Sequence, residues 1–267
     1  MTAMTMTAQD TATMLGRELR HTLRYPLMLI ASIISPVVLL LLFDYVLGGP
    51  IGHGLGSTEV GSTGRGVPYI DYLVPGILVM TVASGTSTTA INVCTDMTGG
   101  IIDRLRTMAV SRGALLAGHV TANVLRTMVN TAFMTVVALA VGFRPHATVP
   151  GWLAVGGLFA AFSFALAWLS VALGLATKST AGANSSTLPI AFLLPFLSSA
   201  FVPPEAMPAG LRWFAEHQPF TAVVDSVRAL LSGAPAGHTG YVALAWCAGI
   251  ALAGYLWARS LFRRGRR

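Results

Sequence analysis

The run LMLIASIISPVVLLLLFDYVL, residues 27–47, has Asp44 as its only charged side chain. A helix needs about 17–25 mostly apolar residues to cross the hydrocarbon core of a bilayer, and this run meets that length. Comparable runs recur at 72–93, 122–143, 152–176, 185–202 and 241–261. One such segment could be a buried core helix of a soluble protein, but six cannot be hidden in 267 residues. Composition agrees. The chain is 54% hydrophobic and 10% charged, against about 25% charged in an average soluble domain, and its mean hydropathy is +0.69. The expected fold is an all-α membrane protein of six transmembrane helices in one membrane domain, residues 27–262. An N-terminal segment, 1–26, precedes it and a basic tail, 263–267, follows. Pro36, Pro75, Pro189 and Pro195 lie in or beside the spans, where neighbouring helices can re-satisfy the carbonyls they free.

Charge sets the expected orientation. Of the 17 Lys and Arg residues only Lys178 is a lysine, and the pI is near 10.1. The arginines gather at segment ends rather than along an aromatic-bearing surface, which argues against nucleic acid. Arg17, Arg20, Arg24, Arg104, Arg106, Arg112, Lys178, Arg259, Arg263, Arg264, Arg266 and Arg267 fall on one side. Arg65, Arg144, Arg212 and Arg228 fall on the other, a bias of about three to one that puts both termini in the cytoplasm. MTAMTMTAQDTATM has no basic region leading into an apolar one, so no cleavable signal peptide is expected.

Several connecting segments have patterns of their own. Leu15, Leu19 and Leu23 repeat at helical spacing with Arg17, Arg20 and Arg24 on another face. That is an interfacial helix with leucines in lipid and arginines at the phosphates, or else a frayed terminus. In GGIIDRLRTMAVSRG, Ile101, Ile102, Leu105, Met108 and Ala109 share one helical face, and Asp103, Arg104 and Arg106 share the other. Flanking TGG and RG would set it off as a short cytoplasmic helix lying along the membrane, or it is a loop that only fixes topology. On the outer side, residues 203–240 show two short helical patterns broken by Pro219. In the second, Phe220, Val223, Val224, Val227 and Leu231 form an apolar stripe, with Asp225 and Arg228 three apart on the polar face. Too short to span, these two are expected to be a re-entrant pair, with Glu205 at its start.

Catalytic chemistry is hard to find. His21, His53, His119, His146, His217 and His238 are scattered without metal-ligand spacing, and neither HExxH nor GxSxG occurs. GLATKST, residues 174–180, imitates a phosphate-binding loop, but Thr177 stands where the loop needs glycine and the flanks are helical. Cys94 and Cys247 sit in separate apolar segments and read as buried thiols. Asp44 and Asp71 fall near span ends, and Arg126 falls near the inner end of the third span, where it could snorkel to the interface. With no carboxylate at the midplane, an ion-coupled secondary drug transporter is the weaker alternative. A membrane hydrolase and a non-transporting scaffold follow it. Ala245, Gly249 and Ala253, like Gly156, Gly157, Ala160 and Ala161, offer small faces for close helix packing, within one chain or against a second copy.

The stretches RYPLMLIASIISPVVLLLLFDYVLGG, YIDYLVPGILVM, GGIIDRLRTMAVSR and FVPPEAMPAGLRWFAEHQPFTAVVDSVRALL occur in the order found in type-2 ABC exporter permeases. The chain is similar in particular to the daunorubicin-resistance (DrrB-like) permeases, whose M-P-V-S-R is Met108-Ala109-Val110-Ser111-Arg112 here. The resemblance implies a permease of the plasma membrane that binds no cofactor itself, with ATP and Mg at a separate ABC ATP-binding subunit. It also implies a second permease copy and a lipophilic drug or lipid as substrate. Ile102, Asp103, Arg104, Leu105, Arg106, Met108 and Arg112 would then form a coupling helix seated on the ATPase. Arg17, Arg20 and Arg24 would belong to the bracing interfacial helix at the lipid surface, and Glu205, Pro219, Asp225 and Arg228 to the outer re-entrant segment.

Overall fold

The computed structural model describes residues 26–43, 45, 69–98 and 112–264. Among these residues the regular structure is entirely helical. Helix α1 is Pro26–Leu42, α2 Tyr69–Thr98, α3 Arg112–Val141, α4 Val149–Ala176 and α5 Thr180–Leu188. A π-helical turn, Pro189–Leu193, carries α5 into the short α6, Leu194–Phe196. After a 3₁₀ turn at Pro204–Ala206 come α7 Ala209–His217, α8 Pro219–Leu231 and α9 Gly237–Arg264.

Four helices contain stretches long and apolar enough to cross a membrane: Tyr69–Thr98, Leu116–Val141, Val149–Ala176 and Gly237–Leu261. The shortest of these has 25 residues, about 37 Å at 1.5 Å per residue, enough for a ~30 Å hydrocarbon core. The chain is a membrane protein. The first expected span, 27–47, matches α1 in part, because the helix proper ends at Leu42 and gives way to π geometry. The fifth, 185–202, is displaced more strongly. Pro189 and Pro195 withhold their amide donors, the helix changes register between them, and the chain has turned by Leu197. The stretch 177–184, expected as a loop, is mostly the first two turns of α5. Ser179 caps it, its hydroxyl accepting from the Gly182 amide at 3.1 Å.

The third span also moves. Its helix starts at Arg112 rather than near 122, so Arg112 and Gly113 open a long helix instead of ending a short one. Arg126 lies well inside this longer helix. It is about 15 Å along the axis from Leu116 and about 22 Å from Val141, the two ends of the membrane-length stretch.

Helices α2 and α4 are the most buried spans and form the centre. Helix α4 packs on α2, α3, α8 and α9, and α2 also receives α1, α3, α5 and α8. Two glycines set the closest crossings. A Cβ at Gly174 would lie 2.6 Å from the Ala90 carbonyl oxygen of α2, and one at Gly254 would lie 2.7 Å from the Leu169 amide of α4. The small-residue stripes picked out from the sequence are different. Gly156, Gly157 and Gly249 have nothing within 4 Å of an added Cβ, and Ala245 and Ala253 are exposed. Within this chain, then, Gly156, Gly157 and the 245–253 stripe are not packing surfaces, whereas Ala160 and Ala161 are half-buried and Ala161 packs against the core.

Candidate functional site: polar contacts between and beside the spans

The chain has to stop being helical at Leu197 while still inside a packed apolar cluster. A helix end leaves carbonyls without partners, and buried ones are costly. Helix α8 supplies the missing bonds. Its start is set by Pro219 in the first turn, and its apolar stripe holds it in place. Phe220, Val223, Val224, Val227 and Leu231 are all buried, as their spacing predicts, and Phe220 meets Phe162 of α4 edge-on at 5.1 Å. So anchored, α8 turns its polar face to the 197–203 turn.

The bonds there form one knot. The Thr221 hydroxyl accepts from the Ser199 amide at 3.2 Å, and the Ser199 hydroxyl donates to Asp225 Oδ1 at 2.7 Å. Arg228 Nη1 donates to the same oxygen at 2.7 Å. Its Nη2 reaches two carbonyls, Ser199 at 2.9 Å and Tyr72 at 3.3 Å. The Tyr72 hydroxyl also donates to the Ser199 carbonyl, at 2.8 Å, and the guanidinium lies over the Tyr72 ring, 3.9 Å from its centroid. Just before α8, Gln218 Nε2 donates to the Leu197 carbonyl at 2.6 Å. Arg228 therefore ties α2, the turn after α6, and α8 together. From the sequence only Asp225 and Arg228 were visible, as an i, i+3 pair. Tyr72 is 127 positions from Ser199, and no local spacing announces such a contact. Glu205 is exposed on the 3₁₀ turn.

At the opposite ends of α2 and α3, His119 Nε2 and Asp96 Oδ2 are 2.9 Å apart, both side chains about one-fifth exposed. This pair fastens the two helices where they flank residues 99–111. Between knot and pair, α2 and α3 share a polar seam. Thr81, Thr86 and Thr89 of α2 and Asn123, Thr127, Asn130 and Thr131 of α3 are buried. Helix α7 is more superficial. Arg212 and Glu216 pair at 2.7 Å on its exposed face, and that bond pushes the Arg212 guanidinium further up from its ordinary value.

Of the residues expected to couple to an ATPase, Ile102, Asp103, Arg104, Leu105, Arg106 and Met108 lie outside the described residues, and Arg112 is the first residue of α3. Arg17, Arg20 and Arg24 are likewise outside them. No group of three or more His, Cys, Asp or Glu side chains that could hold a metal ion occurs among the described residues.

Residues 9–231 match the family described as ABC-2 type transporter. The chain is 29% identical over 223 residues to the daunorubicin resistance ABC transporter permease protein DrrB1 of Streptomyces coeruleorubidus, covering 84% of this chain and 75% of that one. It is 25% identical over 227 residues to a Mycobacterium tuberculosis protein named "Probable doxorubicin resistance ABC transporter permease protein DrrC", covering 83% of this chain and 76% of that one.

Proposed function

The chain belongs to the ABC-2 type transporter family, and we propose that it is the membrane subunit of an ATP-driven exporter, energised by a separate ATP-binding subunit. The observation that carries this reading is the extent of the family match, which runs from residue 9 to residue 231. It thus takes in every span before α9, the amphipathic stretch at 101–112 and the α7–α8 pair together. The substrate is a lipophilic compound, an antibiotic of the kind for which the relatives are named or a lipid, moved outward across the plasma membrane.

In this reading the chain crosses six times, with α1 and the bent α5–α6 segment as the two crossings beyond the four long helices. Both termini are cytoplasmic, and two permease copies act with two ATPases. Residues 101–112 dock on the ATPase. The His119–Asp96 pair then holds the roots of that docking segment at a fixed separation, so a push on it reaches α2 and α3 together. At the outer end the pair α7–α8 re-enters the membrane, and the Arg228 knot makes α8, the 197–203 turn and the head of α2 move as one piece. ATP and Mg belong to the partner. In this chain, residues 174–180 form a corner between two helices, with the Thr177 amide closing the end of α4 on the Leu173 carbonyl at 3.1 Å. A phosphate cradle needs a strand-to-helix turn with free amides.

The test is ATP turnover in reconstituted membranes. The purified chain alone should hydrolyse no ATP, and turnover should appear when the partner ATPase is added and rise further with transported compound. Robust hydrolysis by the clean permease would overturn the assignment.

A further inference from the structure

Helix α2 is one of the two most buried spans, yet one strip of it is left uncovered. Ser84, at the middle of this 30-residue helix, is half-buried. Thr88 and Thr95, one and three turns further on, are exposed, and Ile91 and Asn92 between them are half-buried. At about 100° per residue these five side chains share an arc of about 100°. The packing of α2 frames that arc. On one flank Ser87 hydrogen-bonds Thr187 of α5 at 2.8 Å, and on the other Gly85 faces Asn123 and Thr127 of α3. Towards the start of α2 the same side carries Leu73, Ile77 and Thr81, each 2% exposed or less. The opening therefore belongs to the half of α2 that leads to the His119–Asp96 pair.

The chemistry of the strip fits one kind of neighbour. Where α3 and α9 turn side chains outward they show Val129, Phe133 and Val136, and Leu244, Leu252 and Leu256, all suited to lipid tails. Four of the five α2 side chains are instead polar and uncharged. Small hydroxyl residues let helices approach closely, and Ser, Thr and Asn side chains bond across helices within a membrane. The set is also its own complement. Ser84 and Thr95 donate their hydroxyl protons to carbonyls of their own helix, Thr81 at 2.7 Å and Ile91 at 2.9 Å, which leaves oxygens able to accept. Asn92 brings two amide donors, and no charge on the strip would repel a copy of it. We infer that a second copy of this chain covers the strip, α2 against α2 about a two-fold axis, so that the face meets itself. This rests on the two permease copies of the exporter reading and gives them the face on which they meet.

The experiment cross-links the full-length permease, expressed with its ATPase, in native membranes. Single cysteines replace Thr88 or Thr95, with Phe133 or Leu252 replaced as controls. The native Cys94 and Cys247 are buried and give a low background. With a short bifunctional methanethiosulfonate, Thr88→Cys and Thr95→Cys should yield at least fivefold more cross-linked permease dimer than the wild-type chain. Phe133→Cys and Leu252→Cys should stay at the wild-type level. Asn92→Asp sets like charges against each other across the axis and, added to Thr95→Cys, should return the yield to that level. Cross-linking at Phe133 or Leu252 in place of the strip would put the second copy on an apolar face, leave lipid on α2 and overturn the proposal. An undiminished yield in a correctly inserted Asn92→Asp chain would overturn it as well. The mass of the purified permease–ATPase complex separates this proposal from the reading it rests on. Two permease copies without cross-links on the strip overturn this interface alone; a single copy overturns the two-copy reading with it.

Discussion

Arg228 and Arg212 are both arginines paired with a carboxylate on a short outer helix, and the structure gives them very different weights. Arg228 is 23% exposed and serves one carboxylate oxygen and two carbonyls. Arg228→Ala takes a donor from each of these acceptors and leaves Asp225 without its counter-ion, while the Ser199 and Tyr72 hydroxyls still serve the Asp225 oxygen and the Ser199 carbonyl, so a loss of about 1–3 kcal/mol is expected. It should appear as a lower thermal midpoint and as easier proteolysis near 197–203. Arg212 pairs with Glu216 on the exposed face of α7, the side chains 47% and 38% exposed, and exposed pairs of this kind contribute little. Arg212→Ala should leave the thermal midpoint within measurement error; a drop as large as that of Arg228→Ala would contradict this division. The sequence showed both arginines and one of the two pairings as a spacing. It could not show that Arg228 also satisfies the carbonyls of Ser199 and Tyr72, because that depends on where the fifth span ends. Pro189 and Pro195 shift that end in a way hydropathy does not register.

At the scale of elements, hydropathy located the four long apolar helices because each apolar run has to be buried or face lipid. It misjudged their ends because helices continue past the hydrocarbon wherever nothing stops them. Helix α3 runs back to Arg112 through Gly113 and His119. The pattern Ala245, Gly249, Ala253 tells that a face is smooth, not that its neighbour lies in the same chain. The structure separates the two cases on one helix. Gly254→Ala drives a Cβ against the α4 backbone and should cost about 1–3 kcal/mol, more than the gain of up to about 1 kcal/mol in helix propensity. Gly249→Ala meets open space and should leave the thermal midpoint of the single chain unchanged or slightly raised. The proposed docking role of residues 101–112 makes its own prediction at this scale. Burying a leucine side chain stabilises an interface by roughly 1.5–3 kcal/mol, so Leu105→Asp should cut co-purification of the ATPase by a factor of ten or more at matched membrane expression. Undiminished co-purification would leave residues 101–112 as topology markers only.

For the molecule as a whole, the arginine distribution predicts six crossings with both termini inside. In cysteine-free background, cysteines at Ser57 and Glu216 should react with an impermeant reagent in intact cells, and one at Ser111 only after permeabilisation. Reaction at Ser111 from outside would sink the arrangement. Topology is needed for the central claim but does not establish it, since a secondary transporter could share it. The decisive measurement is transport. Permease and ATPase are reconstituted into vesicles with the ATPase face outward, and accumulation of a lipophilic anthracycline-type compound is followed with ATP, without ATP, and with an ATPase variant unable to hydrolyse it. The account predicts accumulation against a gradient only with ATP and a competent ATPase. Accumulation by the permease alone under a proton or sodium gradient would contradict it, and would make the chain an ion-coupled transporter.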